Sequence, residues 1–298
     1  MQNDCCDGPE VLQWNVQREG HFQVCGQTTE QLPAGGYSCE TDNCGRPLFV
    51  RRQLASDELI RIPGSLAAEI VAEVNDFWPR HGQYSRFGFL HRRGYLFYGK
   101  QGGGKTSVVH QIVADAVAAG NLAFFCGNPW SFLRCLTQFR KVEPHRPLVC
   151  VFEDIDAIIE EHGDADILQW LDGNHQVDRV INLASTNYPE KLERRIVARP
   201  RRFDRVLRID SPCALLREAY LARKLPNQTP QQREHWVEET AGFTFAALSE
   251  LIIAVYCMDG DFCETVERLR QLDSHNPSSE EFAANAAADG FASDTTHA

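Results

Sequence analysis

Residues 99–106 read Gly-Lys-Gln-Gly-Gly-Gly-Lys-Thr, an uninterrupted instance of G-x-x-x-x-G-K-[ST]. The pattern constrains the fold because such a loop has to leave a strand and open a helix. Glycines without a Cβ let successive backbone N–H groups turn toward one phosphate, and a helix N-terminus favours an anion. The flanks agree. Gly94-Tyr95-Leu96-Phe97-Tyr98 is an apolar strand candidate, and Ser107 to Ala119 places Val108, Val109, Ile112, Val113 and Ala116 on one helical face. A glycine-rich turn with a chance lysine would not need that context. The expected nucleoside triphosphate contacts are Gly99, Lys100, Gln101, Gly102, Gly103, Gly104, Lys105, Thr106 and Ser107. Lys105 reaches the β/γ oxygens and the Thr106 hydroxyl ligates Mg²⁺.

A second element is Leu148-Val149-Cys150-Val151-Phe152-Glu153-Asp154-Ile155-Asp156. An apolar run ending in acids describes a buried strand that delivers carboxylates to its C-terminal edge, where open α/β sheets bind ligands. One carboxylate can hold Mg²⁺ through water and its neighbour can polarise the water that attacks the γ-phosphate. A helix-capping role accounts for Asp156 but not for two acids flush against the strand. Next, Val180 to Asn187 reads as a strand ending in an amide able to orient water. Then Arg199-Pro200-Arg201-Arg202-Phe203-Asp204-Arg205 packs four arginines into seven residues. Such a run is either a solvated basic loop or a source of arginines that cross to a neighbour's γ-phosphate.

The chain has 298 residues, enough for one large α/β domain and smaller ones. Thirty basic against forty-one acidic residues give −11, which disfavours nucleic acid as a partner. No apolar run approaches 18 residues and the N-terminus lacks a signal-peptide design, so a cytoplasmic protein without a membrane segment is expected. Eleven cysteines are read mainly as reduced thiols, with Cys126, Cys135, Cys150, Cys213 and Cys257 acting as small hydrophobes. His21, Cys25, Cys39 and Cys44 form a loose alternative metal set.

Alternation and turn signals give a β-rich N-terminal domain over 1–62 and a connecting helix within 63–88, from about Ser65 to Trp78. An α/β core follows over 89–212, then a helical lid over 213–272 and a disordered tail over 273–298. The expected fold is α/β: a five-stranded parallel sheet with helices on both faces. Its strands fall near 95–98, 122–126, 148–153, 180–186 and 206–210.

The order of Gly99–Thr106, Phe152–Asp156, Leu171-Asp172-Gly173, Ser185-Thr186-Asn187 and Arg199–Arg205 resembles AAA-family ATPases over roughly residues 60–272. His91-Arg92-Arg93-Gly94-Tyr95-Leu96-Phe97-Tyr98-Gly99, the Glu-Asp order of the acidic pair and the short connection after the second strand further resemble one subgroup. That subgroup holds the mitochondrial translocase of the Rieske iron–sulfur protein and its bacterial and phage relatives. The resemblance implies ATP and Mg²⁺ as cofactors, and a hexameric or heptameric ring with ATP at subunit interfaces. It implies Glu153 as the metal-side acid, Asp154 as the water-activating acid, Asn187 as the γ-phosphate sensor, and Arg199 and Arg202 as fingers supplied in trans. An Asp at the base position is one methylene shorter than the usual Glu. Lys100 and Gln101 replace the family's prolines, and Gly242 to Leu248 lacks a phosphate-directed arginine.

Threading members of the family grip clients with an aromatic–apolar–glycine loop. Here the connection is Gly127-Asn128-Pro129-Trp130-Ser131-Phe132-Leu133, without that triplet, so Trp130 is either a pore aromatic or a helix-start anchor. The favoured function is a ring-forming motor or chaperone that remodels or translocates a protein client by ATP hydrolysis. The alternatives are a nucleic-acid-associated loader and a nucleotide-gated scaffold with weak hydrolysis.

Overall fold

The computed structural model describes residues 28–53, 60–172, 177–193, 196 and 201–274, together with the backbone of 13–18 and 21–25. Arg199, Gly173 and the expected tail from 275 onward lie outside the described residues, as do the side chains of His21 and Cys25. The chain divides into two compact units, one of 1–57, 71–97 and 108–207, the other of 58–70, 98–107 and 208–298.

The five expected strands are all present: β5 (Arg92–Tyr98), β6 (Leu122–Phe125), β7 (Leu148–Phe152), β8 (Val180–Thr186) and β9 (Arg205–Arg208). Every residue of β6, β7 and β8 is buried. Such unbroken apolar runs belong to parallel strands covered on both faces. The registers Leu122↔Leu148 and Val149↔Ile181 are parallel. The sheet is wider than expected, seven strands in the order β4-β3-β6-β7-β8-β5-β9. The additional strands are β3 (Gly35–Thr41), parallel to β6, and β4 (Pro47–Arg52), antiparallel to β3. Their alternation is visible in the sequence. Their partner is not, because strand addition at a sheet edge is made by backbone groups common to all residues. Gln13–Arg18 (β1) and His21–Cys25 (β2) pair as a separate two-stranded sheet.

Helix α4 (Pro129–Val142) is capped by Asn128, whose side chain accepts from Ser131 N at 3.0 Å. Its stripe of Phe132, Leu133, Leu136 and Phe139 faces the sheet and is buried. Phe139 and Phe49 both meet the Phe124 ring, at 4.9 and 5.2 Å between centroids. The hairpin β3–β4 is therefore tied to the core by aromatic packing as well as by backbone pairing. Trp130 is not a packed anchor. It is exposed, with the Arg134 guanidinium 4.8 Å above its ring.

At the opposite ends of the strands, Asp178 accepts from His91 N at 2.7 Å and pairs with His81 Nε2 at 2.7 Å. This fixes the start of β5 beside the residues that lead into β8. Burial holds the His91 imidazole below its ordinary value, so it packs neutral against the Phe77 ring at 3.8 Å.

Among the described residues, the helices that lie wholly in the second unit are α7 (Ala214–Lys224), α8 (Pro230–Glu239), α9 (Phe245–Tyr256) and α10 (Phe262–Ser274). Leu221, Trp236, Leu248, Leu251 and Val266 are buried in its core. Thr229 and Gln232 form a capping box at the start of α8. Helix α1 (Leu66–Phe77) begins at Ser65, whose hydroxyl accepts from Ala68 N at 3.1 Å. Among the described residues no helix is long and apolar enough to cross a membrane.

Cys126, Cys135 and Cys150 are buried as expected, whereas Cys213 and Cys257 are exposed. Those two sit at helix ends, the N-cap of α7 and the C-cap of α9, where periodicity gives no inward direction. Among the described residues no cluster of three or more metal-ligating side chains exists. Cys39 is buried in the core and Cys44 is exposed.

Gly94 in β5 exchanges hydrogen bonds with Asp204, and an added Cβ would lie 2.1 Å from the carbonyl oxygen of Arg202. Gly94→Ala should therefore force β5 and the chain at 202–204 apart and cost about 3 kcal/mol. Urea unfolding of the variant beside wild type measures the loss.

Candidate functional site

The phosphate-loop residues fall in the second unit, and the loop is seated on that unit's own backbone. An added Cβ at Gly99 (φ +140°) would lie 2.3 Å from the Ile209 oxygen. One at Gly102 (φ +76°) would meet Ala246 Cβ at 2.8 Å and Thr244 Oγ1 at 2.9 Å. Positive φ and close approach together explain why glycine stands at both positions. Ala246 N donates to Gly102 O at 3.3 Å, so the start of α9 braces the loop. Helix α3 (Lys105–Ala118) opens at the lysine. The Lys105 ammonium donates to Gly99 O at 2.8 Å and Lys100 O at 2.9 Å, and the residue is 6% exposed. A buried cation beside a loop of glycines that its own surroundings hold in place, at the start of a helix, fits a polyphosphate.

In the first unit, the ends of β7 and β8 form one hydrogen-bonded cluster. Asp154 follows directly on Glu153 and takes a left-handed conformation, φ +48°, at the N-cap of α5 (Ile155–His162). A non-glycine residue there is strained by about 1 kcal/mol or more and persists only where the surroundings impose it. Those surroundings are visible. Asp154 N donates to Ser185 Oγ at 3.2 Å, and Asn187 Nδ2 donates to Asp154 Oδ1 at 3.2 Å. One residue deeper, Thr186 Oγ1 donates to Asp156 Oδ1 at 2.6 Å and accepts from Tyr188 N at 2.9 Å. Asp156 thus ties β8 to α5 through a buried side chain. Asp154 remains exposed and Glu153 half-buried.

The structure therefore brings together Glu153, Asp154 and Asn187, three of the residues expected to act on the phosphate. Their grouping follows from topology: β7 and β8 are parallel neighbours, so residues just past their ends lie side by side. Two partners were not read from the sequence. Ser185 stands in the strand and in the Ser185-Thr186-Asn187 motif, but its hydroxyl was given no partner. His110 on α3 lies 3.7 Å from Glu153 Oε1 through its Nε2, where it flanks that carboxylate. It stands four residues after Thr106, one helical turn along the same face, and that spacing is the signal that could have found it.

The arginine run is partly described. Arg202 is 4% exposed and makes a bidentate pair with Asp172, Nε to Oδ1 at 2.7 Å and Nη2 to Oδ2 at 2.8 Å. Arg201 has φ +73° and its guanidinium stands 5.6 Å from the centre of the exposed Phe89 ring. Arg205 pairs with Glu73 at 2.7 Å.

Residues 95–211 match the family described as ATPase family associated with various cellular activities (AAA). The chain is 27% identical over 267 residues to an ATP-dependent zinc metalloprotease FtsH of Marinobacter nauticus, covering 81% of this chain and 41% of that one. It is 29% identical over 195 residues to an ATPase family protein 2 homolog of Caenorhabditis elegans, covering 57% of this chain and 26% of that one. A second FtsH, from Acidothermus cellulolyticus, is 29% identical over 206 residues, 61% of this chain and 30% of that one. The chain thus carries an AAA ATPase domain with relatives at low identity, and spans less than half the length of each. Such a domain implies nucleotide binding and ATP hydrolysis in general.

The strand-end network can be probed apart from nucleotide. Thr186→Val removes the hydroxyl that pairs with buried Asp156, and should lower stability by about 1–3 kcal/mol. Thermal and urea unfolding without ligand provide the measurement.

Proposed function

We propose that this protein binds ATP with Mg²⁺ and hydrolyses it as a ring-forming motor that remodels or translocates a protein client. The observation that carries the reading is the hydrogen bond between the strand-end acid Asp154 and the strand-end amide Asn187, following a phosphate loop with a buried lysine. Two polar groups from adjacent parallel strands, one strained and exposed, suit a site that handles water beside a phosphate. The ring, the protein client and the subgroup of the Rieske-protein translocase belong to this proposal. It also keeps the residue roles and the division at 62, 88, 212 and 272. The protease activity in the relatives' name is not carried over, since these 298 residues contain no His-Glu-x-x-His run.

In this reading Lys105 exchanges the carbonyls of Gly99 and Lys100 for phosphate oxygens. Thr106 and Glu153 offer the hard oxygens that Mg²⁺ prefers, and the ion when bound neutralises charge on the β- and γ-phosphates. The Asp154 carboxylate accepts the proton of the attacking water. Asn187 holds that carboxylate by one oxygen and leaves the other to the water. Glu153 has the His110 ring at its side, 3.7 Å from its Oε1. Arg199 and Arg202 are kept as the trans-acting arginines. For Arg202 that role requires its pair with Asp172 to open, so its delivery is coupled to movement of 171–172.

Lys105→Ala should reduce ATP affinity at least about 100-fold, since it removes a charge-assisted contact to phosphate. Asp154→Asn should keep affinity within a few-fold and lower phosphate release about 100-fold or more. Calorimetric ATP binding and a phosphate-release assay, run in parallel, separate the two effects. Turnover at the wild-type rate in Asp154→Asn removes the assignment of the base. Stimulation by DNA but not by unfolded protein would favour the loader instead.

A further inference from the structure

Where β3 and β6 end, an open cavity of about 570 Å³ lies beside the start of α4. The ATPase chemistry uses none of its walls. Ser38, Glu40 and Thr41 of β3, Arg52 of β4, Phe125 of β6 and Ser131 of α4 are among its lining residues. Its size suits a small organic molecule. What separates it from an ordinary solvent-filled dent is the state of its polar groups.

Among the described residues, the side chains of Ser38, Glu40, Thr41, Arg52 and Ser131 have no hydrogen-bond or ion-pair partner. Glu40 and Arg52 are exposed, and water serves them. Ser131 is different. It is 8% exposed, and its backbone N–H is already taken by the Asn128 cap. Its hydroxyl is not one of the sealed unpaired atoms of the core, so it opens on the cavity that the residue lines. A buried hydroxyl without a partner is costly, and native structures keep few of them. This one stands in the first turn of a 14-residue helix, where free N–H groups and the dipole favour a negative group.

The charges leave a gap of definite size. Ser38 lies across from Val50 on one side and from Phe125 on the other, and Glu40 lies across from Leu48. Alternation puts these five residues and Arg52 on one face of the sheet. The other face is the one that α4 covers, through Phe49 and Phe124. The Arg52 guanidinium stands 4.3 Å from the centre of the Phe125 ring, which holds it near the level of Ser38. Glu40 is two residues further along β3, about 7 Å on. The two opposite charges do not pair with each other, so an ammonium and a carboxylate fit between them. Beside them Leu48 and Val50 form an exposed apolar ledge.

We propose that this cavity binds a small zwitterion with an apolar side chain, of the α-amino-acid class. Arg52 and the Ser131 hydroxyl donate to its carboxylate, Glu40 accepts from its ammonium, and its side chain rests on Val50 and Leu48. Because the guanidinium is already seated on the Phe125 ring, it loses little freedom when the ligand arrives. The site is independent of nucleotide, since none of these residues belongs to the phosphate loop or to the strand-end acids.

The test titrates the full chain, without nucleotide, with L-leucine in a calorimeter, and separately with acetate and isoamylamine as its two halves. The expected result is one L-leucine per chain with a Kd below about 1 mM, each half binding at least about ten-fold more weakly. Arg52→Gln and Glu40→Gln should each weaken L-leucine about ten-fold or more, through loss of a charge-assisted contact. Ser131→Ala removes a hydroxyl with no protein partner. It should melt at or above the wild-type temperature and yet bind L-leucine several-fold more weakly, a combination that a purely structural role does not produce. No binding of L-leucine, L-phenylalanine or glycine up to about 10 mM would overturn the proposal. So would binding left unchanged by both Gln variants. Acetate that binds as tightly as L-leucine, and more tightly still to Glu40→Gln, would make this a plain anion site and overturn the assignment. The wild-type titrations decide the matter by themselves, so a variant that fails to fold leaves the answer intact.

Discussion

A parallel sheet buried on both faces can present polar side chains only where its strands stop. That constraint governs this protein. β6, β7 and β8 offer no residue to solvent, so the acids after β7 and the amide after β8 stand at the one edge where charge is tolerated. Because the two strands are parallel neighbours in register from Leu148↔Val180 to Phe152↔Ala184, their next residues necessarily become neighbours too. The Asp154–Asn187 contact is a consequence of the sheet before it is a property of either residue.

What holds that edge in shape is a layer of hydrogen bonds just beneath it. Asp156 and Thr186 are joined inside the protein, and Ser185 takes the backbone N–H of Asp154. A buried carboxylate without such a partner would cost several times what the bond itself contributes. The network therefore specifies one arrangement of the strand ends, and the left-handed turn at Asp154 is imposed by it. The phosphate loop is fixed by a different device. There, glycines sit where Ile209, Thr244 and Ala246 leave no room for a side chain.

Much of this was legible beforehand, for physical reasons. Continuous apolar runs bounded by polar residues have few other folded uses, so five strands were placed within a few residues of their true limits. The helical stripe of Phe132, Leu133, Leu136 and Phe139 was read as core for the same reason and is buried. The reading ran out where a residue's fate depends on a distant partner. Arg202 reads as part of a solvated basic loop or as a finger supplied in trans, yet Asp172, thirty residues earlier, takes one edge of its guanidinium through two hydrogen bonds. His110 gains Glu153 as a neighbour only because the end of β7 comes beside α3. Cys213 and Cys257 looked like core residues but fall at helix ends, where the direction of a side chain is no longer set by period.

The amino-acid order by itself determined the local chemistry: a glycine loop ahead of a helix, acids after an apolar run, and an amide after the next. Each of these follows from contacts within a few residues of chain, which is as far as periodicity and spacing reach. The tertiary structure alone decided which of them meet. It added β3 and β4 to the sheet through backbone pairing that no side chain announces. It also buried Arg202 against Asp172 and set the Cys135 sulfur of α4 against the Glu40 and Leu48 carbonyls of the β3–β4 hairpin. Those outcomes depend on packing between segments about a hundred residues apart, as between Glu40 and Cys135.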